Sequence, residues 1–275
     1  MNSYQLRWMS QPVGLIVGDG LRPDILGTLS KNDIARQPIV CGRRTYNLGD
    51  LFQVLPLEPT PTETTLRIEG SPNFVRLGGR MKSGILEIVG HGGAMVAAGM
   101  TGGRIHVKGS VGRRAGAGMR GGQLYVSENA DLLLGGPLPG GITGMTGGAI
   151  VVLGNAGDYP ALKQRRGLIA VAGNVGQHPA HGMLGGTLVL AQEDPPPVGL
   201  GMEGGTIVLL SDTRNQWSSF RSNAVTSPVF LRLLWRRLKE LSFPWPDDLD
   251  SSPFLSLFGD SRHNARGEIF IRRNS

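Results

Sequence analysis

The sequence predicts an all-β fold: a single-stranded, right-handed parallel β-helix of about 7–8 coils, with an irregular N-terminal cap and a C-terminal helix. Three observations carry that prediction. A ten-residue phrase, clearest as Met100-Thr-Gly-Gly-Arg-Ile-His-Val-Lys-Gly109, recurs from starts at 81, 100, 119, 145, 164, 183 and 202, a 19-residue period with one interval of 26. A fixed period of this size marks stacked units. Within each unit, positions 5 and 7 after the start are apolar, as in Leu86/Ile88, Ile105/Val107 and Ile150/Val152. Two residues apart is strand spacing and places both on one face. Glycines recur at fixed offsets, as in Gly102-Gly103 and Gly121-Gly122. A corner needs positive φ, which glycine adopts without steric cost.

The elements follow in order. Residues 1–60 lie outside the repeat, and their prolines and mixed apolar residues predict a cap with a few strands, such as Tyr4–Trp8 and Leu51–Leu57. An open stack end exposes unpaired strand edges and needs such a cover. Pro59-Thr-Pro61 reads as a hinge. The repeat then occupies 61–215, beginning with a fainter copy at Leu66-Arg-Ile-Glu-Gly70. Like stacks on like, so the methionines at position 0 form an internal, core-filling row. The long interval holds a seven-residue insertion, placed at Gly135-Gly-Pro-Leu-Pro-Gly-Gly141, which must leave the stack as a surface loop. It is either a tolerated bulge or a docking loop.

The outward strand positions change along the chain. Position 6 runs Glu87, His106, Tyr125, then Val151, Ala170, Val189 and Val208; position 8 ends in Leu153, Ala172, Ala191 and Leu210. An outward face that turns apolar must be covered. Two covers are open. One is a partner subunit docking on Val151, Leu153, Ala170, Val189, Val208 and Leu210. The other is a helix from the C-terminal segment, 216–275. Ser227-Pro228 resembles an N-cap with proline at N1, and Phe230, Leu233, Leu234, Leu238 and Leu241 recur at helical spacing. Gly267-Glu-Ile-Phe-Ile271 reads as a last strand.

Composition bounds the function. Among 275 residues there are 43 glycines and one cysteine, Cys41, so an intramolecular disulfide and any cysteine cluster for zinc or iron–sulfur are excluded. That suits a reducing cytoplasm. No apolar run nears membrane-spanning length, and Met1 to Ser10 lacks a signal-peptide core. The net charge is +7, and only five of the 28 basic residues are lysine. Arginine suits bidentate contact with carboxylate or phosphate.

No catalytic constellation emerges, so the catalytic and metal sets are empty. The glycine phrases lack the lysine of a phosphate loop and the strand–helix setting of a dinucleotide site. His178 and His181 have usable metal spacing but no third ligand nearby in sequence; by unit offset, His178 stacks near Tyr159. Asp19, Asp24, Asp33 and Asp50 form no pattern. Arg113, Arg114, Arg165 and Arg166 are solvated corner charges or contacts for an anion or an acidic subunit face.

The unit Gly-Met-x-Gly-Gly-x-Ile-x-Val-x-Gly, present at 99–109 and 144–154, resembles the glycine-repeat β-helix of the C-type subunit of formylmethanofuran dehydrogenase. The C-terminal domain of the glutamate synthase large subunit is built similarly. The motif covers over half the chain and is more specific for the β-helix superfamily than for one branch. Leu257-Phe-Gly-Asp260 and 267–271 resemble the closing segment of the C-type branch. The resemblance implies a mainly structural subunit, binding no cofactor itself, in an assembly handling formyl groups on a methanofuran-type carrier. In archaea that is a molybdenum- or tungsten-dependent dehydrogenase with iron–sulfur centres. In methylotrophic bacteria it is the formyltransferase/hydrolase complex. That complex takes the formyl group from tetrahydromethanopterin and releases formate, and its zinc belongs to the amidohydrolase partner, alongside a formyltransferase partner. The arginine-rich composition favours the bacterial assembly. A basic module binding nucleic acid or another polyanion is the alternative, set back by the lack of aromatic rows for base stacking. An autonomous glutamate-synthase-like enzyme is poorer still, because its catalytic domains have no counterpart here.

Overall fold

Each repeat unit contributes one strand to a single large sheet, and each strand lies parallel on the one before it. The computed structural model describes residues 2–9, 14–58, 62–70, 73–213, 219–226, 228–244, 252–261 and 266–273. The expected hinge at Pro59-Thr-Pro61 and the expected cap Ser227 lie outside the described residues. The N-terminal elements are β1 (Ser3–Trp8), β2 (Ile16–Val17), α1 (Pro23–Leu26), α2 (Lys31–Ala35), β3 (Pro38–Cys41), β4 (Arg44–Asn47), α3 (Leu48–Leu51) and β5 (Phe52–Leu57). The repeat supplies β6 (Thr65–Glu69), β7 (Phe74–Val75), β8 (Ile85–Val89), β9 (Arg104–Val107), β10 (Arg120–Val126), β11 (Thr146–Val152), β12 (Arg166–Val171), β13 (Thr187–Leu190) and β14 (Gly205–Leu209). The chain closes with β15 (Arg221–Thr226), α4 (Val229–Glu240), β16 (Phe254–Phe258) and β17 (Gly267–Arg272).

The 13-stranded sheet has the order β15-β16-β17-β14-β13-β12-β11-β10-β9-β8-β6-β1-β5. Pairing is parallel from β1 to β17 and antiparallel only at the two ends. Leu86, Ile105, Leu124, Ile150, Ile169, Leu188 and Ile207 stand in register, as the spacing requires, and all are buried. The cap is more regular than expected. Its β1 and β5 extend the main sheet, while β4-β3-β2-β7 form a second sheet of four strands. The antiparallel partners β5 and β16 pair the last parallel strand at each end, the cover an open stack needs.

A second parallel ladder joins the units past the strands, through single bridges from Gly93 to Val111, Ala130, Ala156 and Val175. Here asparagines at one recurring position, Asn129, Asn155 and Asn174, link unit to unit. The Asn129 side-chain oxygen accepts the Asn155 N–H at 2.8 Å, and Asn155 does the same for Asn174 at 2.8 Å. The chain next turns through left-handed residues stacked unit on unit, including Met95, Arg114, Leu133, Tyr159 and His178 with φ of 57–65°.

The methionine row is internal: Met81, Met100, Met119, Met145, Met183 and Met202 are fully buried, and Gln164 occupies the row buried beside them. Each terminal methyl lies under the second corner glycine of the next unit. A Cβ at Gly103 would stand 2.6 Å from Met81 Cε, and one at Gly122 2.7 Å from Met100 Cε. Both glycines also have φ near 80°. Packing and backbone therefore demand glycine together.

The insertion lies at 137–143, two residues later than expected. Gly135 and Gly136 stay in the ladder, receiving and giving bonds to the preceding unit, and Gly144 rejoins it through Lys163. Between them the loop is exposed, with Ile142 81% accessible.

Helix α4 also departs from expectation. It begins at Val229 with Pro228 as its N-cap residue. Leu231, Trp235 and Leu238 are its buried face, with Leu234 at its margin and Leu241 following, whereas Leu233 points outward and Phe230 is only partly covered. The helix carries two apolar arcs, and the arc with Trp235 removes more surface from water. Among the described residues no helix is long and apolar enough to cross a membrane.

Candidate functional site

The apolar stripe on the outer face of the sheet is internal. Ala149, Val151, Leu168, Ala170, Val189, Val208 and Leu210 form one buried cluster with Leu231, Trp235, Leu238, Leu241, Phe243, Phe254 and Phe270. Leu153, Ala172 and Ala191 pack on its margin. The expected partner surface at Val151, Leu153, Ala170, Val189, Val208 and Leu210 is therefore corrected: the chain's own helix and closing strands cover it. Length explains where the stripe stops. Twelve helical residues span about 18 Å, close to the four strand steps, about 19 Å, from β17 to β11. Phe230 meets Phe270 of β17 at 5.1 Å between ring centroids. Just past the other end, Leu241 and Ser242 reach β10, where position 6 becomes Tyr125.

Beyond the helix end, His106, Gln123 and Tyr125 of the sheet face Glu240, Leu241 and Ser242 across a cleft of about 200 Å³. The His106 and Tyr125 rings are 5.8 Å apart. Partial burial lowers the imidazole pKa of His106; Glu87 acts against that shift and Arg104 with it.

The histidine pair lies on the left-handed turn. Tyr159 and His178 stack at 4.9 Å, the neighbourhood the unit offset requires, and His178 and His181 are 6.2 Å apart. His181 Nδ1 is buried without a hydrogen-bond partner. Burial lowers its pKa, and His178 and Lys163 lower it further, so the neutral ring is favoured. Among the described residues no group of three or more His, Cys, Asp or Glu is placed to hold a metal ion.

The four cap aspartates do structural work. Asp19 pairs with Arg76 at 2.6 Å and Asp24 with Arg22 at 3.3 Å. Asp33 accepts from the Ser30 hydroxyl, and Asp50 closes a capping box with Asn47.

The arginine pairs occupy different corners. Arg113 and Arg114 enter the left-handed turn, where Arg114 is half-buried with its Nε unpartnered. Arg165 and Arg166 leave the same turn two units on. There they join a set that sequence order hides. Position 1 of each unit bonds back to position 0 of the unit before: Thr101 N–H to Met81 O, Arg120 to Met100, Thr146 to Met119, and Arg165 to Met145. Residues flanking each position 0 therefore line one edge of the stack. That edge carries Arg80, Lys82, Arg120, Lys163, Arg165 and Arg166, all exposed. Tallying charge at fixed unit positions, rather than along the chain, reveals it.

These features define a class: a mostly β chain of stacked glycine-cornered units, self-covered on one face and basic along one edge. No family model matches the sequence. No sequence among the curated proteins matches it either. Among solved structures, the chain is similar to one from the formyltransferase/hydrolase complex FhcABCD of Methylorubrum extorquens, determined in complex with methylofuran. The TM-score is 0.85 at 28% identity, covering 98% of this chain and 100% of that one.

Proposed function

We propose that this chain is the structural, C-type subunit of a formyltransferase/hydrolase complex in tetrahydromethanopterin- and methanofuran-linked one-carbon transfer. End-to-end similarity carries the reading: 28% identity spread over 98% of the chain at TM-score 0.85. The parallel units in constant register support naming the fold a right-handed β-helix related to the glutamate synthase C-terminal domain. The C-type assignment rests on the repeat phrase and the closing segment at 257–260 and 267–271. The reading makes this chain non-catalytic and cytoplasmic. A zinc-dependent amidohydrolase and a formyltransferase are its partners, and carrier and zinc belong to the assembly. Among the described residues, Asp19, Asp24 and Asp50 are engaged in ion pairs or a helix cap and His178 in ring stacking, which fits a scaffold.

Native purification of the tagged chain from its host, with mass spectrometry of what stays bound at moderate salt, tests this. Recovery with a zinc amidohydrolase and a formyltransferase is expected. Recovery with molybdopterin and iron–sulfur proteins would move the chain to the dehydrogenase. A monomer would overturn the proposed membership of a complex.

A further inference from the structure

From the edge formed around position 0, we infer that the chain docks there against an acidic face of a partner protein that has an apolar recess for Leu138 and Ile142. This rests on the proposed role within a complex and adds the surface that role lacks.

Charge is the first argument. The edge residues are 80–83, 99–102, 118–121, 144–147, 163–166 and 182–185, and they hold six basic side chains and no acidic one. Glu63 in the fainter first unit and Glu203 in the unit after 182–185 bound the patch along the sequence. None of the six makes an ion pair among the described residues, although Arg76, Arg104 and Arg273 elsewhere do. The unit carrying Arg80 and the unit carrying Lys163 are four strand steps apart, so the charges spread over about 19 Å. A line of unpaired, exposed like charges raises the folded chain's self-repulsion and stabilises nothing within it. An opposing acidic surface reverses that sign and steers the encounter.

Shape is the second argument, and it selects the occupant. The 26-residue interval falls on this edge. The loop at 137–143 leaves the ladder between Gly136 and Gly144, and Gly144 bonds to Lys163 O at 2.9 Å. Leu138 lies over Gly118, where an added Cβ would meet its side chain at 2.8 Å. Ile142 is 81% exposed. An apolar knob amid arginines gives a free polyanion nothing to hold, because such a chain offers charge without a recess. It suits a protein interface, whose centre is apolar and whose rim is charged.

The test uses the full chain in its native assembly. Arg120→Glu/Arg165→Glu and Ile142→Asp are compared with Lys31→Glu/Lys108→Glu, which carries the same charge change away from the edge. Native mass spectrometry at moderate salt reads the assembled fraction, and thermal melting verifies that each variant is folded. The edge variants are expected to lower co-purified partner about tenfold, while the control assembles like wild type. Hydrogen exchange at 137–147 is expected to slow in the assembly, a readout independent of any variant. Wild-type assembly that the edge variants leave intact, with unprotected 137–147, overturns the docking surface and spares the proposed role. Loss of heparin retention without loss of assembly overturns it too, in favour of a free polyanion. A monomeric wild type overturns both.

Discussion

The methionine at the start of each unit and the glycine three residues into the next form a lock. The methyl group fills the space a Cβ would take, and the positive φ forbids one. Gln164 is the exception within the row. Its Nε2 takes the methyl's place and donates to Gly167 O at 2.8 Å, but its Oε1 is buried without a partner. An unsatisfied buried oxygen costs about 1–3 kcal/mol. Gln164→Met restores the pattern of the six other units and adds apolar burial. Denaturant unfolding should show the variant more stable by about 1 kcal/mol, with an unchanged denaturant slope. A variant less stable than wild type would mean that the amide bonds outweigh the orphan oxygen. The repeat made this position legible, because Gln164 stands where every other unit has Met. Its hydrogen bond was not legible, since nothing in sequence shows which carbonyl the side chain meets.

At the scale of elements, the stripe and α4 stabilise each other. Val189 and Val208 are fully buried at the centre of their shared cluster. Val189→Glu forces a carboxylate into apolar contacts with no partner, and should destabilise the chain by on the order of 4 kcal/mol. The melting temperature of the isolated chain should fall, whether or not partners are present. An unchanged melting temperature would place the stripe outside the core. The sequence shows that a cover is needed, because four consecutive outward positions become apolar. It does not show which cover, and it finds Leu234, Leu238 and Leu241 of the helix's inner face but takes Phe230 and Leu233 in place of Leu231 and Trp235. Phe230 and Leu233 fit a 3.6-residue period as well as Leu231 and Trp235 do, and the shape of the groove decides between them. The N-terminal strands were visible as β1 and β5, yet their place in the main sheet was not, because β1 pairs with β6 across 1–60 and no local pattern records such a distant partner.

For the whole molecule, the stack transmits one register from cap to tail, and its ends matter as much as its middle. The closing segment acts at three points. Strand β17 adds to β14 in parallel, with Ile269 against Ile207. Gly267 closes over Met202, completing the last lock. Buried Asp260 accepts the Gly201 N–H at 3.0 Å, holding the last left-handed turn. A chain truncated after Leu210 loses all three together with α4, and so leaves both the β14 edge and the apolar stripe bare. Exposed edges of parallel sheet recruit other edges, and an uncovered apolar face recruits other faces. Size-exclusion chromatography with light scattering should therefore find the truncated chain as oligomers or aggregate and the full chain free of them when isolated. A truncated monomer with an intact β spectrum would show that the units up to β14 are self-sufficient, and that 211–275 serve the assembly rather than the fold. The basic edge belongs to this scale as well. Arg80 and Arg166 are 86 residues apart in sequence but share one side of the stack, so the charge pattern becomes visible only when the register is known.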